Sequence, residues 1–103
     1  MRNDQAGFLD MARAVEWRDE NPSAYAYMES LAVGEARARR KVSARWLVEQ
    51  ARKKDFTSVY GNTTRINNNL TPAIARLIAL DHPETREWFE FRHAKADGDH
   101  GQR

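Results

Sequence analysis

Helix-start signals cut this chain into short segments and leave little room for anything but helices between them. At Asn21-Pro22 and Thr71-Pro72, a residue able to cap orphan backbone N–H groups precedes a proline suited to the first helical position. Ser43 is the best N-cap in the chain, with Val42 before it and Leu47 four positions later at the spacing of a hydrophobic staple. The apolar pattern agrees with these boundaries. Phe8, Met11, Ala12 and Val15 recur at i, i+3, i+4 and i+7 and predict a first amphipathic helix. Tyr25, Met28, Ala32 and Ala36 give the stripe of a second, expected to end around Arg39 to Lys41. Ala44, Leu47, Val48 and Ala51 give the third, and Ile74, Leu77 and Ile78 the fourth.

Between helices two and three about four residues remain, the connection of a helix-turn-helix. From Phe56 the period changes. Thr57, Val59 and Tyr60 favour strand, Gly61-Asn62 is a hairpin-turn dipeptide, and Thr63, Thr64 and Ile66 suit a returning strand. Asp81-His82-Pro83 breaks the fourth helix, and Glu84 to Arg92 reads as a last short helix with Trp88 and Phe91 closing the core. The expected fold is mainly α with a small β-hairpin near residues 57–66, a helix-turn-helix or winged-helix-like domain over residues 5–92. Residues 93–103 are polar and read as a flexible tail.

A length of 103 residues supports one modest core, and 41% hydrophobic with 31% charged residues suits a globular chain. No apolar run approaches the roughly 20 residues of a membrane helix. The first residues lack the apolar core of a secretory signal. The absence of cysteine suits a reducing cytosol, so a cytoplasmic protein with no membrane partner is expected. Catalysis has little to rest on. The three histidines, His82, His93 and His100, fall in no HExxH arrangement, and neither a phosphate-binding GxxxxGK loop nor a GxSxG elbow occurs. The pairs Asp19 with Glu20 and Glu84 with Glu87 read as helix-terminus charge. No enzyme activity, cofactor or metal is expected. The aromatic residues lie at helical spacing and read as core, with Trp46, beside Arg45 at the edge of the third stripe, the one candidate for stacking.

Charge distribution says more than net charge. Residues 36–65 hold nine basic and two acidic residues, +7, against −5 for the remainder and +2 overall. The third helix can pair some of its own charges, Arg45 with Glu49 and Glu49 with Lys53. The run Arg37, Arg39, Arg40 and Lys41 has almost no neighbouring acid, and crowded like charges call for an external anion. Phosphate is the preferred reading and an acidic protein surface the competitor. Arg45, Arg52 and Arg65 extend the basic set. Asn67, Asn68 and Asn69 follow it directly. Asparagine can bond adenine in the major groove, or it can serve only as turn chemistry; both readings stand at the level of sequence.

The strings WRDENPSAY (17–25), RRKVSARWL (39–47), INNNLTPAIAR (66–76) and WFEFR (88–92) resemble a family of small proteins encoded by bacterial phages and integrated mobile elements. The pattern INNN-x-TP-x-x-AR is the most specific part. The resemblance implies no catalytic residues and a setting in which small basic helical proteins regulate DNA. Double-stranded DNA is therefore the expected partner, through Arg37, Arg39, Arg40, Lys41, Arg45, Arg52, Arg65 and the three asparagines. The alternative is a phage-encoded inhibitor that sets the same basic face against an acidic host protein.

Overall fold

Each start signal opens a helix, though not always through the expected bond. The computed structural model describes the backbone of residues 2–90 and the side chains of residues 10–90. Helices α1 (Arg2–Glu20), α2 (Pro22–Arg37), α3 (Ala44–Lys54) and α4 (Thr71–Asp81) carry the domain, with short 3-10 turns at Asn68–Leu70 and Pro83–Trp88. Ser43 caps α3 as its sequence requires: it is extended, and its hydroxyl accepts from the Trp46 N–H at 3.2 Å. Replacing Ser43 with Ala is expected to cost about 1 kcal/mol and lower the melting midpoint by roughly 4–8 °C. A calorimetric scan with an unchanged midpoint would show that the cap contributes nothing.

Asn21 works differently from a cap. Its side chain makes no N-terminal cap bond. Instead its amide donates to the Trp17 carbonyl at 3.0 Å and accepts from the Thr64 hydroxyl at 2.8 Å. The residue is buried, so satisfying both ends of the amide removes a desolvation cost and ties the α1–α2 corner to the loop after α3. Thr71 is likewise inside α4, and Leu70 takes the capping position without a side-chain bond.

The core lies between all four helices. Leu47, Ile74, Ile78 and Met28 are its largest apolar side chains with almost no exposure. α1 packs on α4, α2 on α3, and the Pro83–Trp88 turn on both α2 and α4. Among the described side chains of α1 the buried ones are Ala14 and Trp17; Met11 and Val15 pack only in part and Ala12 is exposed, so the expected stripe is rotated over this part, and the Phe8 side chain lies outside the described residues. The Trp17 indole explains the rotation, because its N–H donates to the Arg65 carbonyl at 2.9 Å and draws that face toward the loop. At the other end, the Tyr25 hydroxyl donates to Asp81 at 2.7 Å. Burial first, and the Asp81 carboxylate second, push the phenol pKa well above its ordinary value.

The expectation of a β-hairpin fails. Among the described residues there is no strand, hence no hairpin and no wing: residues 57–66 contain a single antiparallel bridge, Thr57 with Thr63. The loop spends its polar groups elsewhere. Val59 N–H donates to the Glu20 carbonyl at 2.8 Å, and Ser58 closes the tip by accepting from the N–H groups of Tyr60 and Asn62. Gly61, at φ +85, supplies the left-handed turn. Docking on the α1–α2 corner thus replaces a ladder that so short a segment cannot extend.

The last short helix is present but earlier and tighter than expected, a six-residue 3-10 helix over Pro83–Trp88. Thr85, fully buried, donates both its N–H and its hydroxyl to the His82 carbonyl, at 2.9 and 2.7 Å, and holds a 3-10 turn. The chain then extends. Val42 N–H donates to the Trp88 carbonyl at 2.8 Å and Glu90 N–H to the Val42 carbonyl at 3.0 Å, one parallel bridge between Val42 and Phe89. Phe89 enters the core and Trp88 only partly does. Phe91, expected in the core, and the tail at 93–103 lie outside the described residues. The α2–α3 connection spans residues 38–43, longer than expected because α2 stops at Arg37.

Candidate functional site

The α2–α3 connection begins with a Schellman turn. Arg39 N–H donates to the Ala36 carbonyl at 3.0 Å and Arg40 N–H to the Glu35 carbonyl at 2.9 Å, which satisfies carbonyls the helix end would leave open. This motif places one residue in the left-handed region, where glycine is usual. Here that residue is Arg39, at φ 60. Its side chain is exposed and makes no hydrogen bond or ion pair with any described residue. A β-carbon in this conformation costs about 1–2 kcal/mol. The same left-handed conformation recurs at Asp55, φ 60, at the end of α3; at Arg39 it presents an exposed cation.

Arg37 and Lys41 flank it, exposed and likewise unpaired among the described residues. Arg40 is different. Its guanidinium donates to both Glu35 oxygens, at 2.8 and 3.0 Å, so the expectation of a basic run with almost no acid is wrong at this position. The Arg40 hydrogen bonds hold the Glu35 carboxyl below its usual value.

The turn leads into α3, whose outer face borders an open groove of about 760 Å³ against the start of α4. Arg45, Val48, Glu49 and Arg52 line one side, and Asn68, Pro72 and Arg76 the other. Arg45 and Glu49 are linked at 3.4 Å one helical turn apart. Ser43 and Glu90 close one end, so the strap that pairs with Val42 also shapes the groove.

Arg52 braces the groove from within. Its guanidinium donates to the Ile66 carbonyl at 2.8 Å and to the Asn68 side chain at 3.2 Å. Asn67 is committed too, its side chain accepting from the Asn69 N–H at 2.8 Å. The asparagine run is therefore part turn chemistry, and its three side chains have separate duties. Asn69 alone has an exposed amide with no described partner. Asn67→Ala is expected to lower stability by about 1 kcal/mol through the lost cap, whereas Asn69→Ala should melt like the parent. Equal melting shifts in the two variants would mean that the cap at Asn67 has no special weight.

Arg65 lies away from the groove, its carbonyl held by Trp17 of α1. Trp46 packs partly on the core and is half-buried, at the edge of the α3 stripe. Sequence reasoning missed Arg76 and Glu90. Arg76 follows Pro72 by one helical turn on the exposed side of α4, a signal available in the sequence; Glu90 has none, because only the Val42 bridge brings it here. Among the described residues no helix is long and apolar enough to cross a membrane. Comparison with protein-family models, curated proteins and solved structures finds no match to this chain.

Proposed function

We propose that the protein binds double-stranded DNA without catalysing a reaction, with the α2–α3 connection against the phosphates and the outer face of α3 toward the bases. The observation that carries this reading is Arg39, an exposed cation held in a strained backbone conformation that glycine would relieve. Arg37 and Lys41 lie beside it, and Arg45 continues the charge onto α3. Arg40, held by both oxygens of Glu35, adds less than its neighbours. Arg52 acts by bracing Asn68, and Arg65 supports the charge from a separate loop. The resemblance of the sequence strings to proteins of phages and mobile elements is what favours a regulatory role for this binding.

The test is Arg39→Gly, because strain and contact move in opposite directions. Relief of the left-handed residue should raise stability by about 1 kcal/mol, roughly 4–8 °C in melting midpoint. Loss of one phosphate contact should flatten the dependence of log K on log salt by about 0.9. A higher midpoint with unchanged affinity and slope would remove Arg39 from the interface. A parent protein that retains no duplex even at low salt would remove DNA altogether and favour an acidic protein surface.

A further inference from the structure

Groove-lining Glu49 is hard to reconcile with a surface that only neutralises phosphates. It lies on α3 between Arg45 and Arg52, with its side chain half exposed. A carboxylate there repels a phosphate backbone and weakens binding to any sequence alike. It favours binding only where a donor awaits it. In the major groove that donor is the cytosine amino group, while an arginine one turn away suits guanine O6 and N7. We infer that Arg45 and Glu49 form a joint reader of a guanine and a neighbouring cytosine, which rests on the DNA-binding reading above.

Three features support the assignment. The Arg45 side chain is 86% exposed, so it is available to a partner, and Glu49 at 3.4 Å already aligns it along α3. The two residues are neighbours on one helix face, with β-carbons about 5–6 Å apart, a reach that covers adjacent base steps. The competing amides are partly consumed, Asn67 by its cap and Asn68 by Arg52. Glu49 then serves by exclusion as well as attraction. On a wrong sequence its charge stays unpaired beside phosphate or an acceptor edge, and the complex is penalised.

The experiment selects bound sites from a random duplex library with the parent and with Glu49→Gln, after a melting scan to confirm the fold. The parent should prefer cytosine at one position by about 5- to 150-fold, and Glu49→Gln should lose that preference while keeping the rest of its consensus. A consensus that survives Glu49→Gln unchanged overturns the inference and leaves DNA binding standing. So does salt-dependent binding by the parent with no consensus at all. Retention of no duplex by the parent overturns the DNA-binding reading itself, a distinct outcome.

Discussion

Replacing Arg37, Arg39 and Lys41 together with alanine is expected to flatten the salt dependence of duplex binding by about 2.7, three contacts at roughly 0.9 each. Between 50 and 200 mM salt the parent should therefore lose about 40-fold more affinity than the variant, since the fourfold rise in salt acts through that exponent. The choice of residues follows from pairing. All three are exposed and unpaired among the described residues, whereas Arg40 is engaged by both oxygens of Glu35. Arg40→Ala alone should consequently change the slope by less than any of the three. Stability should move by no more than about 0.5 kcal/mol, because none of these side chains packs against the core. Titrations of one mixed-sequence duplex at several salt concentrations give both quantities. A triple variant with the parent's slope would show that phosphate does not meet this turn.

Signals that depend on neighbours in sequence were readable; those that depend on tertiary partners were not. The Ser43 cap and the stripes of α2, α3 and α4 use bonds and contacts within a turn or two, and the structure keeps them. Asn21 carried the same local signal, yet its amide went to Trp17 and Thr64, a partner 43 residues away. Similarly, the strand propensity of residues 57–66 was real enough for one bridge, but the Val59 N–H and the Thr64 hydroxyl turn to Glu20 and Asn21. At the site, the basic run was legible as charge, and its members are exposed on the α2–α3 connection. What the sequence could not convey was which cation is neutralised, because the Glu35–Arg40 pair exists only once the Schellman turn folds the chain back. The left-handed Arg39 was equally hidden, since arginine gives no hint of the glycine-like position it occupies.

Phe89→Ala should cause the largest loss of stability of any substitution considered, about 3–5 kcal/mol. The ring is buried at 6% exposure, and truncation removes its transfer energy while leaving a cavity that close-packed neighbours fill only in part. Total stability for a domain of this size is about 5–15 kcal/mol, so the loss is a large fraction of it. The effect reaches beyond the core because Phe89 anchors the strap. Its bridge to Val42 fixes the residue immediately before the Ser43 cap, hence the end of the basic connection and the start of α3. Phe89→Leu separates the two roles. It keeps an apolar side chain for the anchor and should lose clearly less stability than the alanine variant. If the strap positions the turn, Phe89→Leu should also keep the parent's salt slope, measured well below its melting midpoint. An alanine variant that melts within about 1 kcal/mol of the parent would mean that the strap is dispensable and that α3 begins at Ser43 without its help.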